Sequence, residues 1–217
     1  MASRTVTIVL TVALLIALAL LGSRLGGVNL PGIQQGYEPE QPIAYSHRLH
    51  AGELQIACLY CHFGAETSRH AGIPPAGVCM NCHAFVTAPL GAVRAEDEAA
   101  AREKREPRRV VSSELAKLYR ALALGEDLRP VPGAARTPIA WVRVHNLPDF
   151  VFFDHRPHVA AGVACQICHG PVETMERMRQ ESDLTMGWCV NCHRDANRTG
   201  IGGKAVRASI DCVACHY

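Results

Sequence analysis

Hydrophobic residues are concentrated at the start of the chain and are sparser after it. Between Arg4 and Arg24 lie 19 uncharged residues, Thr5 to Ser23, in which Val, Leu, Ile and Ala predominate. At about 1.5 Å per residue, a helix of this length spans roughly 28 Å, close to the hydrocarbon thickness of a bilayer. The pattern predicts one transmembrane anchor within residues 1–25.

A cleaved signal peptide is the alternative interpretation of this segment. Ala17-Leu18-Ala19 has the small-x-small form of a cleavage site. The apolar run nevertheless continues through Leu20 and Leu21 with no polar region, which favours a retained anchor. Residues 26–42 contain many Gly, Pro and Gln residues and are predicted to be a linker that leads away from the membrane.

One pattern of residues occurs twice after this linker. An aromatic-x-His-x-x-His sequence begins at Tyr45 and again at Phe153, and each copy ends seven or eight residues before a Cys-x-x-Cys-His sequence. A Cys-x-Asn-Cys-His sequence then closes each copy. The duplication predicts two units that bind two groups each, residues 43–83 and 151–193, followed by a C-terminal segment, residues 194–217.

Residues 84–150, between the two units, form an insert with its own patterns. Apolar residues recur at helical spacing from Leu115 to Leu122, just after Ser112 and Ser113, either of which can cap a helix. The charged run 96–109 indicates a solvated helix or loop, and Trp141–His145 has the composition of a short strand. For the chain as a whole, we expect a mainly α fold with much irregular loop.

All ten cysteines belong to five copies of one motif, Cys-x-x-Cys-His. The copies are Cys58-x-x-Cys61-His62, Cys79-x-x-Cys82-His83, Cys165-x-x-Cys168-His169, Cys189-x-x-Cys192-His193 and Cys212-x-x-Cys215-His216. This motif is the attachment signature of c-type haem. The sequence therefore predicts five covalent haem c groups, with both cysteines of each copy tethering a porphyrin.

Disulfides and structural zinc are the other common uses of paired cysteines. Neither use requires a histidine directly after every second cysteine, so both are poor explanations of five complete copies. Haem attachment takes place on the extracytoplasmic side of a membrane, where thiols meet oxidising conditions. We therefore expect the haem domain on the periplasmic or extracytoplasmic face of a bacterial cytoplasmic membrane, with the anchor crossing once.

The composition restricts how the chain can fold and what it can bind. Aromatic residues make up only 6% of the chain, so we expect haem faces to serve as much of the core. The formal net charge of +2 gives no electrostatic footprint for nucleic acid. Most basic residues are Arg, which suits pairing with haem propionates, although a solvated Arg surface explains them equally well.

Histidines are the predicted iron ligands. The histidine of each motif supplies the proximal nitrogen, which gives His62, His83, His169, His193 and His216. The aromatic-x-His-x-x-His sequences contain two histidine doublets, His47/His50 and His155/His158. The histidines of each doublet are three residues apart, so their rings lie on one side of a helical turn and can serve two neighbouring haems. The expected distal ligands are His47, His50, His145, His155 and His158. His70 lies in a polar stretch and is expected at the surface.

A methionine sulfur can replace histidine as the sixth ligand and then raises the potential of the haem. Met175 and Met186 lie between the third and fourth motifs and are possible distal ligands, whereas Met80 lies inside a motif, on the proximal side of its haem. Packing against porphyrin is the alternative role for Met175 and Met178.

Three classes of function compete for a chain of this kind. An electron-transfer wire needs six-coordinate irons, and the supply of histidines meets that need. A multihaem reductase needs an open iron, and the Cys-x-x-Cys-Lys motif of pentahaem nitrite reductases does not occur here. A membrane-anchored quinol dehydrogenase that feeds a soluble reductase is the alternative to the wire. Of these classes we expect the wire, a chain that is not catalytic by itself.

Several stretches together resemble a known family. The residues from Pro42 to His50 and the first two Cys-x-x-Cys-His motifs look like the class III (c3/c7) cytochrome c pattern. Trp141-Val-Arg-Val-His145-Asn-Leu-Pro-Asp-Phe150 and Leu184-Thr-Met-Gly-Trp188-Cys189 make the likeness specific. The chain resembles the pentahaem cytochrome c subunit of bacterial alternative complex III, from the anchor to the last motif.

This resemblance implies a place in a respiratory or photosynthetic electron-transport chain. It implies a hetero-oligomeric complex in which polytopic membrane subunits oxidise quinol and an iron–sulfur subunit passes electrons to the pentahaem chain. A monohaem cytochrome c subunit or a soluble acceptor then receives them. The resemblance also implies an all-α, loop-rich fold and distal ligands at the same five histidines, His47, His50, His145, His155 and His158.

Overall fold

The computed structural model describes residues 2–25 and 34–216, and side chains within 4–22 and 34–216. Over these ranges the fold is mainly helical and contains no β-strand. The α-helices are α1 (Ala2–Leu25), α2 (Cys58–Cys61), α3 (Gly64–Thr67), α4 (Ala76–His83), α5 (Leu90–Glu103), α6 (Ser113–Ala121), α7 (His155–Ala160), α8 (Gln166–His169) and α9 (Met186–Thr199). A π-helical turn covers Arg48–Glu53, and 3₁₀ turns cover Val172–Thr174 and Cys212–Ala214. Residues 26–33 of the predicted linker lie outside the described residues.

Helix α1 is long and apolar enough to cross a membrane. Its Arg4–Gly22 stretch has a mean hydropathy of 2.6, and none of it is buried against the rest of the chain. A signal sequence has the same length and composition, so this observation is compatible with both interpretations of the N-terminus.

The insert contributes a small core built on α6. The Ser112 hydroxyl caps this helix by accepting a hydrogen bond from the Leu115 N–H at 3.3 Å, as the sequence predicts. Leu118 is 3% exposed and Tyr119 is fully buried. The Tyr119 hydroxyl donates a 2.6 Å hydrogen bond to the carbonyl oxygen of His83. The insert is therefore fastened directly to the second Cys-x-x-Cys-His motif.

Helix α5 covers much of the charged run. It ends where Lys104 adopts a left-handed conformation, at φ 53°. Directly after this turn, Arg105 reaches back to pair with Glu96, at 2.5 Å. The run is thus a helix followed by an ion-paired turn, in agreement with the expected solvated helix or loop.

The short strand expected at Trp141–His145 is wrong. This segment is irregular, and no neighbouring strand pairs with it among the described residues. The side-chain amide of Gln41 takes the place of a strand partner, because it donates to the Val142 carbonyl at 3.0 Å and accepts from the Val142 N–H at 2.9 Å. A single side chain thus satisfies the backbone groups that a ladder would use.

The two duplicated segments pack against each other through short contacts. The π-helical turn lies against the 3₁₀ turn Val172–Thr174 so closely that a Cβ at Gly52 would collide with the carbonyl oxygen of Glu173. Nearby, the Arg48 N–H donates to the Met175 carbonyl at 2.8 Å. Helix α3 packs on α7, and the His155 N–H donates to the Arg69 carbonyl at 3.2 Å. These contacts bring the histidine-bearing segments of both copies together.

Candidate haem-binding site

Each Cys-x-x-Cys-His motif lies on a helical turn. Helices α2, α4, α8 and α9 carry the first four copies, and the 3₁₀ turn Cys212–Ala214 carries the fifth. Residues three apart on such a turn lie on one side of it, so the two sulfurs of a motif are presented together. None of the ten cysteines forms a disulfide among the described residues.

The histidines of the two doublets face the histidines of the first four motifs. The ring centroids are 6.4 Å apart for His47 and His62, and 6.1 Å apart for His50 and His83. In the second copy the corresponding distances are 6.4 Å for His155 and His169, and 5.9 Å for His158 and His193. Four expected distal ligands thus each lie opposite one expected proximal ligand.

These spacings fit a metal held between two imidazoles. With metal–nitrogen bonds of about 2 Å and a ring centroid about 1.1 Å behind each nitrogen, facing rings have centroids roughly 6.3 Å apart. The observed distances of 5.9 to 6.4 Å agree with this value. A direct hydrogen bond between two ring nitrogens would bring the rings closer. The four pairs therefore fit haem irons with one axial histidine on each face.

The duplication extends to the aromatic residue that precedes each doublet. Tyr45 lies edge-on to His47, with the ring planes at 81°, and stacks on His50 at 22°. Phe153 makes the equivalent contacts with its doublet, at 84° and 33°. One aromatic side chain in each copy thus sets the relative orientation of two imidazoles.

Most of these imidazoles use their second nitrogen, Nδ1, to contact a backbone carbonyl. Among the motif histidines, Nδ1 of His62 lies 2.7 Å from the Gly72 oxygen, Nδ1 of His83 lies 2.7 Å from the Val86 oxygen, and His193 contacts the Ser209 oxygen. The doublet histidines His50, His155 and His158 do the same with the oxygens of Ser46, Arg69 and Asp154, at 2.8, 2.9 and 2.8 Å. Because a carbonyl only accepts, Nδ1 carries the proton and Nε2 is left free to bind metal.

Two imidazoles depart from this arrangement. The Nδ1 atom of His169 lies 3.2 Å from Nε2 of His145, and not beside a carbonyl. The Nδ1 atom of His47 is buried and has no hydrogen-bond partner among the described residues. His145, which the sequence predicts as a distal ligand, thus lies beside the Nδ1 atom of His169, a predicted proximal ligand.

The histidine of the fifth motif has an aromatic neighbour. The ring of Phe150 lies 5.8 Å from that of His216, and the backbones of Val151 and His216 form an isolated β-bridge. Met186, a possible distal ligand, is 69% exposed at the start of α9, while Met175 is 7% exposed and packs near Gly170. His70 is exposed, as expected.

Burial keeps several of these groups in the form that binds metal. It lowers the pKa of His47 to about 4, with help from His62, and the pKa of His169 to about 3, with help from His145. Burial also lowers the pKa of His145 to about 4, with a smaller effect from His155. These rings are neutral at pH 7, and a neutral imidazole is the metal-binding form.

Neighbouring motifs approach each other through their thiols. The Cys165 thiol contacts that of Cys58, which raises the pKa of Cys165 after the larger effect of burial. Burial raises the pKa of Cys168 to about 11, with the nearby thiols of Cys192 and Cys189 adding to it. Electrostatic interactions between thiols also link the first motif to the second and the fourth to the fifth. Linked in this way, the motifs follow the order second, first, third, fourth, fifth.

Comparison with known proteins agrees with this geometry. Residues 151–217 match the family described as cytochrome c7 and related cytochrome c. The fold is mainly helical and c7-like, and the comparisons support a multihaem cytochrome c with covalently bound haem c that takes part in electron transfer. The chain is similar to the multihaem cytochrome c subunit of menaquinone reductase from Nitratidesulfovibrio vulgaris, with 25% identity over 199 residues, which are 82% of this chain and 78% of that protein.

The sequence did not identify the carbonyl oxygens that orient the histidines. Gly72, Val86 and Ser209 contribute only backbone atoms to the site, so their side chains carry no signal of this role. Phe150 does contribute a side chain, and it belongs to the Trp141–Phe150 stretch that carries the family resemblance. Its position beside His216 depends on the pairing of two segments far apart in the chain.

Proposed function

We propose that this chain is the electron wire of a membrane quinone-linked complex, with five covalent haem c groups. The four facing histidine pairs carry this proposal, because a pair that occupies both axial positions leaves no open site for a substrate on those irons. The haem supplies a reversible one-electron change at iron. The polypeptide holds it, orients its axial ligands and excludes water.

The chain's residues divide into three roles around these groups. The ten motif cysteines form the thioether links, and the five motif histidines are the proximal ligands. His47, His50, His155 and His158 are the distal ligands of the first four haems, each opposite the motif histidine that it faces. For the fifth haem we propose Met186 as the distal ligand. It lies one turn before Cys189, whose thiol interacts with that of Cys215.

The spatial order of the motifs supports a linear path. The second and fifth motifs stand at the two ends, and the first and third meet at the centre through Cys58 and Cys165. In this proposal, electrons enter near one end of the series and leave near the other.

The similar protein and the resemblance to alternative complex III support a proposal about partners and direction. We propose polytopic quinone-binding membrane subunits and an iron–sulfur subunit on one side, and a monohaem cytochrome c or soluble acceptor on the other. In this arrangement α1 is a retained anchor and the haem domain is extracytoplasmic. The similar protein is a menaquinone reductase subunit. Its name favours a second candidate, in which the same wire carries electrons towards a quinone.

Native purification from membranes tests this function. The detergent-solubilised protein is isolated by its haem absorbance, and everything that travels with it is identified by mass spectrometry. We expect an intact mass with five haems and co-purification with polytopic and iron–sulfur subunits. Isolation of the cytochrome alone, or with one soluble reductase, would instead favour the membrane-anchored quinol dehydrogenase. Adding quinol or a low-potential donor and following haem reduction then gives the direction of electron flow.

A further inference from the structure

The acceptor beside the proximal histidine of the third motif is chemically different from the others. His62, His83 and His193 direct Nδ1 to a backbone carbonyl, whereas His169 directs it to the Nε2 atom of His145 at 3.2 Å. The two rings meet edge to face, with centroids 4.4 Å apart and planes at 79°. This spacing is too short for a metal between the rings, so the contact is a direct imidazole–imidazole hydrogen bond.

We propose that His145 is a positioning residue that lowers the midpoint potential of the haem bound by His169. The inference rests on the proposed function, because it takes His169 and His155 as the two axial ligands of that haem. In this proposal His145 is therefore not a distal ligand.

The direction of the effect follows from the proton positions. Because Nδ1 of His169 contacts His145, Nε2 is the nitrogen left for the iron in the proposed arrangement, and Nδ1 then carries the proton. His145 therefore accepts at Nε2. An imidazole nitrogen is a stronger base than an amide oxygen, and an acceptor at this position makes the ligand more basic. A more basic ligand stabilises ferric over ferrous iron, which lowers the potential.

The duplication provides an internal comparison. His62 is the counterpart of His169 in the first copy, and its facing pair has the same centroid distance, 6.4 Å, with planes 9° apart. The axial geometry is therefore nearly equal in the two copies, while the acceptor at Nδ1 is the Gly72 carbonyl in one and His145 in the other. The two haems meet at the centre of the wire, so a difference between them sets the free-energy step there.

The insert holds His145 in place for this role. Gln41 bonds both backbone groups of Val142, and the Arg143 guanidinium donates to the His145 carbonyl at 2.9 Å. These bonds fix the irregular segment on both sides of Val144, which is 8% exposed. The structure thus brings a side chain from outside both duplicated units to one proximal ligand.

The experiment compares two substitutions at position 145 in the full-length protein. His145→Phe keeps an aromatic ring but removes the acceptor, and His145→Gln restores an acceptor through its amide oxygen. We expect His145→Phe to shift one of the five haems to a more positive potential in a spectroscopic redox titration, and His145→Gln to return it most of the way. His70→Phe, at an exposed histidine, is the matched control and should leave the titration unchanged.

Haem content and spin state separate the failure of this inference from that of the proposed function. Five haems by intact mass and unchanged low-spin spectra, together with the shift, support the role of His145. An unchanged titration in both variants overturns it. The appearance of one high-spin haem in both variants also overturns it, since His145 would then be a distal ligand. Fewer than five haems in the unsubstituted protein would contradict the proposed function itself.

Discussion

At the scale of single residues, the orientation of each imidazole depends on what its Nδ1 atom contacts. A ring anchored through Nδ1 presents Nε2 in one direction and cannot turn without breaking a hydrogen bond. His155 is held in this way by the Arg69 carbonyl, which belongs to the other duplicated segment. The proposed distal ligand of one unit is thus oriented by a backbone carbonyl of the other.

A change of ligand type at this position should alter one haem and no other. We predict that His155→Met raises the potential of a single haem, about one fifth of the titrated absorbance, because a thioether favours ferrous iron more than imidazole does. Covalent haem content should remain at five, since the cysteines are untouched. His70→Met serves as the control. If His155→Met leaves both the spectrum and the titration unchanged, His155 is not an axial ligand.

At the scale of elements, the sequence predicted the segments that have a regular or repeated pattern and did not predict the irregular ones. Helix α6 follows from its apolar spacing and its serine cap, and both are present in the structure. The doublets could be identified because their sequence recurs, and their rings face the motif histidines. The strand predicted at Trp141–His145 is absent. Its composition is typical of a strand, but the composition does not reveal that the Gln41 side chain, about a hundred residues earlier, forms hydrogen bonds with its backbone. The contact between His145 and His169 also depends on how this irregular segment folds, so the sequence did not predict it.

The cap of α6 gives a prediction with a matched control one residue away. Ser112→Ala removes the hydroxyl that accepts from the Leu115 N–H, and we expect it to lower the free energy of unfolding by about 1 kcal/mol. Ser113→Ala changes a neighbouring exposed serine that lies within the first turn and should have little effect. Thermal or denaturant unfolding followed by circular dichroism measures both. Equal effects of the two substitutions would mean that the cap does not stabilise the helix.

At the scale of the whole molecule, the polypeptide is far more open than its mass suggests. Its accessible surface is 15,197 Å², whereas a compact protein of 23.5 kDa is expected to expose roughly 9,800 Å². Part of the excess belongs to α1, and part to exposed apolar side chains within or directly after the motifs, among them Phe63, Ile167 and Val213. Haem c would cover part of this apolar surface, and α1 is long and apolar enough to cross a membrane.

The membrane contribution can be tested in the central part of α1. If this helix is a retained anchor, the mature protein keeps residues 1–25 by intact mass and leaves the membrane only in detergent. Leu15→Arg should then reduce the membrane-bound fraction, because a charge at the centre of a spanning helix costs about 2.5–3.5 kcal/mol on insertion scales. Leu15→Ile, which keeps the position apolar, should not. A mature protein that lacks residues 1–25 and is released without detergent would identify α1 as a signal peptide, and the wire would then need its partner subunits to reach the membrane.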